Sequence, residues 1–150
     1  MTRPKQPVSV LVVIHTPALD VLLLERAAHP GYWQSVTGSR EDDEALIATA
    51  RREVLEETGI DAPLSAFSDW SLSNSFEIFS EWRHRYAPGV THNVEHVFSL
   101  SVPGQIDIAT APAEHRAWQW LPLREAAERC FSWTNRDAVL LLPELIQAGS

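Results

Sequence analysis

The chain has 150 residues, with 20 acidic against 12 basic side chains and a net charge of −8. That length suits one domain, spanning residues 1–150, and a composition 45% apolar and 21% charged argues against disorder. The acidic balance excludes general binding to nucleic acid or to an anionic membrane surface, yet leaves room for a small polyphosphate bridged by a divalent cation.

The single cysteine, Cys130, excludes an internal disulfide framework and fits a reducing compartment, so a cytoplasmic protein is expected. It reads as a small hydrophobe near a helix end. No apolar run approaches the roughly 20 residues of a membrane-spanning helix.

In chain order, Val8–Ile14 reads as an interior strand; it is too short and too soon interrupted by His15 and Asp20 for a signal peptide. Val21–Glu25 reads as a second strand, with Thr16-Pro17 and Asp20 marking the turn. After Pro30-Gly31, Tyr32–Thr37 reads as a short strand ending at Gly38. From about Asp42 to Thr58 the period becomes helical. Ile47, Ala50 and Val54 form its core stripe, Gly59 stands at its C-terminus, and Glu41 to Glu44 crowd its start, where the macrodipole favours acid.

Phe67–Ser71, Phe76–Tyr86 and Val94–Val102 read as strands, Pro103 to His115 as a loop, and Ala117–Leu121 as a short aromatic strand. Leu123–Cys130 and Asn135–Gln147 read as helices, the second kinked or interrupted at Pro143. Strands interleaved with helices imply an α/β sandwich on a mixed sheet.

The chemistry concentrates in the 23 residues from Gly38 to Ile60, GSREDDEALIATARREVLEETGI, which hold seven of the 20 acidic side chains. Glu53, Glu56 and Glu57 stand at i, i+3 and i+4, so their carboxylates lie on one side of the helix. Like charges at that spacing repel by a few tenths of a kcal/mol per exposed pair. A divalent cation turns the same cluster favourable, and oxygen-only ligands suit a hard ion such as Mg²⁺, with Mn²⁺ as a substitute. The charges alone equally suit a solvated acidic face, partly neutralised by Arg51 and Arg52.

Gly38, Glu44, Arg52, Glu53, Val54, Glu56, Glu57, Gly59 and Ile60 match, at all nine fixed positions, the spacing of the Nudix hydrolase signature, and on this ground the chain resembles that family. The resemblance implies a Nudix-type α/β/α sandwich with a mixed β-sheet and a loop–helix–loop that carries the metal site. It implies hydrolysis of a nucleoside diphosphate linked to another group. It makes Glu53 and Glu57 metal ligands, Glu56 a ligand or the base that activates water, and Arg52 the residue that orients the carboxylates. Asp43 stands where many members of the family carry glycine.

The segments QPVSVLVVI, GYWQSVTGS, FEIFSEWRHRYAPGVTHNVEH and SWTNR resemble the bacterial branch of that family that splits dihydroneopterin triphosphate into the monophosphate and pyrophosphate, in folate biosynthesis. By that resemblance Lys5, Arg26, Thr37, Phe76, Glu77, Ile78, Phe79 and Ser132 contact substrate, and Glu114 adds a metal-binding carboxylate from outside the signature helix. The partner implied is a small pterin or nucleoside triphosphate, and the chain a monomer or homodimer. Two other readings stand beside it: a pyrophosphohydrolase for dNTPs or oxidised nucleotides such as 8-oxo-dGTP, and a catalytically silent nucleotide-binding module. On the expected strand 76–86, Phe76 and Phe79 face opposite sides, while Arg83 and Arg85 share a face that phosphate can meet. His115, beside Glu114, is a candidate for a supporting role.

Overall fold

The apolar run of β1 (Val8–His15) needs cover on both faces and receives it, residues 10–14 being at most 1% exposed. Val10, Val12 and Ile14 face one layer and Leu11 and Val13 the other, the period-two alternation of a strand. The computed structural model describes residues 3–148 and places β1 within a seven-stranded mixed sheet. There β1 runs parallel to β6 (His92–Ser101), whose far side pairs with the edge strand β5 (Phe67–Glu77). β2 (Asp20–Arg26) pairs antiparallel with β7 (His115–Pro122).

Between β2 and β1 lies a wedge. The two strands meet only beside their turn, His15 opposite Val21, and then diverge. The strip that fills the gap pairs first with β2, as β3 (Trp33–Gln34), and then with β1, as β4 (Val36–Ser39). The one strand expected over Tyr32–Thr37 is therefore two, broken at Ser35, whose N–H leaves the ladder and donates to Asn135 Oδ1 at 2.8 Å.

One helix, α1 (Leu46–Thr58), covers the face of Val10 and Val12, burying Ala50 and Val54 completely. Two more, α2 (Leu123–Arg129) and α3 (Trp133–Ala148), cover the other face through Ala126, Ala138, Val139 and Leu142. The result is the three-layer α/β/α sandwich. Among the described residues no helix is long and apolar enough to cross a membrane.

Further elements depart from the expected ones. α1 begins at Leu46 rather than Asp42, because the Glu44 carboxylate turns back to accept from the Glu41 N–H (2.9 Å) and Asp42 adopts φ +50°. The acidic residues Glu41 to Glu44 thus form the loop before the helix, not its first turn. The strand expected over Phe76–Tyr86 stops at Glu77, because the Arg83 guanidinium bonds back to the Ile78 carbonyl (3.0 Å) and to the Glu77 carboxylate, closing a 3₁₀ turn over Ser80–Arg85. Arg83 and Arg85 consequently share no strand face. Phe67–Glu77 is one strand with an irregularity between Asp69 and Ser73, and α3 runs without interruption through Pro143.

Gly59 ends α1 as expected, at φ +76° with its N–H on the Leu55 carbonyl, and a Cβ there would stand 3.1 Å from the Ala109 side chain. Gly59→Ala is expected to destabilise the protein by about 1–2 kcal/mol, the cost of a left-handed L-residue, measured by urea unfolding.

Candidate active site

Glu57 continues the apolar stripe of α1 past Val54, so the helix carries a carboxylate on its buried face. It is 1% exposed, and neither carboxylate oxygen has a hydrogen-bond partner. Burial, with Glu53 beside it, drives the Glu57 carboxyl well above the usual carboxylate range, and burial raises Glu53 as well. A carboxylate in that setting demands a positive partner.

Among the described residues no lysine or arginine pairs with it directly, and Arg26 acts on it only from a distance. Glu114 and His115, where the chain enters β7, bring ligand atoms within 4.8 Å of those of Glu57 and of each other. His115 Nε2 lies 3.6 Å from Glu57 Oε1, yet desolvation and then the nearby charge of Arg26 push this imidazole down to about 4, so at neutral pH it is uncharged. Two carboxylates, that of Glu57 with both oxygens free, beside an uncharged imidazole that does not compete for them, fit a divalent cation. The donor set, not merely its acidity, makes that fit.

Arg52 organises the rest of the helix. Its guanidinium donates to Glu44 Oε1 (2.6 Å) and Oε2 (3.2 Å), to Glu53 Oε1 (2.8 Å), to Glu56 Oε2 (3.4 Å) and to the Ser39 carbonyl (3.0 Å). One side chain thereby ties the loop, the helix and β4 together, and orients Glu53. Gly38, on β4, packs directly against that carboxylate: a Cβ there would fall 2.0 Å from Glu53 Cδ. A larger residue there would displace the Glu53 side chain, so the glycine is favoured by space and not by its backbone angle.

The three helix glutamates separate in three dimensions. Glu53 and Glu57 turn toward the sheet, whereas Glu56 keeps a side chain 55% exposed and paired with Arg52. Glu114 is exposed but reaches the same cluster as Glu57.

Cations border the carboxylates. Lys5 is an exposed residue whose N–H donates to the Arg85 carbonyl, and desolvation of its ammonium, then the charge of Arg85, lowers it from the ordinary lysine range. Arg26 stacks its guanidinium 4.7 Å from the Trp82 ring and donates to Gln34 Oε1 at 3.4 Å. Gln34 Nε2 lies 3.4 Å from both Thr37 Oγ1 and His115 Nε2, so Thr37 is linked to the carboxylate cluster through two side chains.

The stretch 76–79 scatters. Phe76 is half-buried, Glu77 points to solvent against Arg83, Ile78 is buried at 3%, and Phe79 is 47% exposed among Trp82 and Phe131. Ile78 is the buried residue of this stretch. Ser132 stands just before α3, its hydroxyl accepting from Asn135 Nδ2 at 2.8 Å. Sequence reading did not single out Gln34 or Asn135, and it left Arg85 outside the site set. Their only signal lay in the short segments GYWQSVTGS, SWTNR and WRHRY, where nothing local marks a buried amide.

Fold and site together define a class. A model of the NUDIX domain matches residues 5–142, and the chain belongs to the Nudix family as one of its hydrolases, enzymes that use divalent metals and act on small nucleotide-like substrates. Among curated proteins, the Escherichia coli dihydroneopterin triphosphate diphosphatase is 46% identical over 138 residues, covering 90% of this chain and 91% of the relative. The Haemophilus influenzae protein of the same name is 39% identical over 142 residues, with 93% and 89% covered. The solved structure of the E. coli dihydroneopterin triphosphate pyrophosphohydrolase superposes with a TM-score of 0.86 at 45% identity, covering 92% of this chain and 95% of the other.

Arg52 holds the Glu44 carboxyl down to about 2, from an ordinary 4.5. A folded-state value below the unfolded one adds stability that is complete above about pH 4.5 and lost as pH falls toward about 2. The stability gap between wild type and Glu44→Gln is therefore expected to narrow between pH 6 and pH 3, measured by urea unfolding at each pH.

Proposed function

We propose that this chain is an Mg²⁺-dependent pyrophosphohydrolase that cleaves dihydroneopterin triphosphate between its α and β phosphates, giving dihydroneopterin monophosphate and pyrophosphate. The observation that carries the hydrolytic reading is Glu57, buried with both oxygens free and flanked by Glu53 and Glu114. The extended likeness to the two curated diphosphatases supports the substrate. A single domain does the work, in the cytoplasm, as a step of folate biosynthesis.

In this reading Glu53, Glu57 and Glu114 would hold the metal, which would supply neutralisation of phosphate oxygens and a lowered pKa for water. Hard oxygen donors favour Mg²⁺, with Mn²⁺ acceptable. Lys5 and Arg26 pair with phosphate oxygens, Arg26 pre-oriented by its stack on Trp82. Arg52 and Gly38 fix Glu53, so that the carboxylate meets its ligand without reorganising. His115, neutral and bonded toward Gln34, fills the wall beside Glu57 without competing for its charge. Proton acceptance from the attacking water falls to an exposed carboxylate, Glu56, or Glu114 where the metal leaves it free. Thr37, the 76–79 stretch and Ser132 border the remainder of the substrate.

Glu57→Gln is expected to lower kcat for pyrophosphate release by about 100-fold or more, since it removes the charge and keeps the shape, while the metal-free protein keeps or gains thermal stability. Pyrophosphate release near the wild-type rate would overturn the metal role. In a substrate panel with product identification, dihydroneopterin triphosphate is expected to give the highest kcat/KM and pyrophosphate as product; a clear preference for dNTPs or 8-oxo-dGTP would overturn the pterin assignment.

A further inference from the structure

At one end of the sheet, the face that packs on α3 stops being apolar. Ser39 on β4, Ser9 on β1, Glu95 on β6 and Asn74 on β5 stand side by side in register, and Asn93 with Phe76 forms the next row. Ser9 and Glu95 alternate with Val10 and His96, so they lie on the same face as Leu11 and Val97, beneath α3. The start of α3 closes over them: the Thr134 hydroxyl lies near enough to favour the ionised Glu95, and Ser132, Thr134 and Asn135 are joined by hydrogen bonds.

Glu95 and Asn93 are each 4% exposed, and each leaves one acceptor oxygen, Oε1 and Oδ1, with no hydrogen-bond partner. Asn93 spends its donor on Ser9 Oγ at 2.7 Å. Two buried acceptors two residues apart on one strand therefore ask for donors, each unmade bond costing about 1–3 kcal/mol. The rim of this cluster is half-buried rather than sealed: Phe76, Asn74, Ser39, Thr37 and Ser132 all keep partial exposure. Thr37, on the same face as Ser39, connects through Gln34 to His115 and Glu57. The polar patch is thus continuous with the carboxylate site.

We propose that Glu95 is the specificity-determining residue that reads the heterocycle of the substrate, its carboxylate accepting the adjacent ring N–H and exocyclic amino N–H of a 2-amino-4-oxopyrimidine edge, with Asn93 Oδ1 as a further acceptor and Phe76 as the flat wall. This deepens the proposed function and rests on it. Pterin and guanine both present that donor pair, and two parallel N–H donors match the two oxygens of a carboxylate. Adenine presents a ring nitrogen lone pair there and would leave Glu95 unsatisfied, the kind of mismatch that polar sites reject most strongly. Burial, opposed by the Thr134 hydroxyl, holds the carboxyl at about 7, so an incoming donor pair stabilises its ionised form.

The test is the kcat/KM of wild type and Glu95→Gln on dihydroneopterin triphosphate, GTP and ATP, followed by pyrophosphate release, with circular dichroism and Tm confirming the fold. Glu95→Gln is expected to lose about 100-fold on the first two, chiefly through KM, and to hydrolyse ATP within about 2-fold of wild type. Glu95→Asp, which withdraws the carboxylate by one methylene, is expected to fall between them in the same substrate order. A loss shared equally by ATP, or none on the first two substrates, would overturn the role of Glu95, as would a wild-type preference for ATP. A wild-type preference for GTP over dihydroneopterin triphosphate would instead overturn the assigned substrate and leave Glu95 reading the same edge.

Discussion

A glutamate on the apolar stripe of an amphipathic helix, with neither oxygen hydrogen-bonded, is the constraint from which much of this structure follows. Glu57 sits where α1 would otherwise bury another valine or leucine, and the helix tolerates it because the neighbouring elements leave its charge open toward one point. His115 approaches without positive charge, and Glu114 adds a second carboxylate where β7 begins. An isolated buried carboxylate neutralises by raising its pKa, as the environment of Glu57 drives it to do, unless a cation enters. Affinity for a cation and the strain of its absence are two views of one arrangement.

That arrangement needs a rigid frame, and Arg52 with Gly38 provides it. The guanidinium satisfies loop, helix and strand at once, holding Glu44 ionised and Glu53 in place. Gly38 permits the strand to touch the carboxylate it positions. The two conditions work together, since a larger residue at 38 would move Glu53 off the bond that Arg52 makes to it. Lys5, Arg26 and Arg85 then lie across from the carboxylates, so an acidic chain of net charge −8 keeps a local basic border where a polyphosphate needs one.

The divergence of β1 from β2 sets the other half of the architecture. The strip 33–39 has to change partners partway, and the break at Ser35 frees a backbone N–H that Asn135 accepts. This ties the start of α3 to the centre of the sheet, beside Gln34 and Thr37 on one side and Ser9, Asn93 and Glu95 on the other. At the break itself the sheet cannot satisfy its own groups, and Asn135 answers the N–H that Ser35 frees.

The sequence by itself determined the alternating core of β1, the stripe Ala50 and Val54 and the helix stop at Gly59, because each depends on spacing within a single element, while the link of Arg52 to the helix carboxylates came through the resemblance. It also carried, through resemblance, Glu114 as a carboxylate from outside the helix, which the structure brings to Glu57. Only the tertiary structure decided that Glu56 parts from its two neighbours, that residues 80–85 turn rather than extend, that the strip after Tyr32 is two strands, and that Gln34, Asn135 and Glu95 matter. The physical reason is common to all of these. Local periodicity states which face a residue takes, whereas burial of a polar atom and the partner that answers it depend on elements tens of residues away. The register between strands and the charge of a distant side chain are set only when the chain closes on itself.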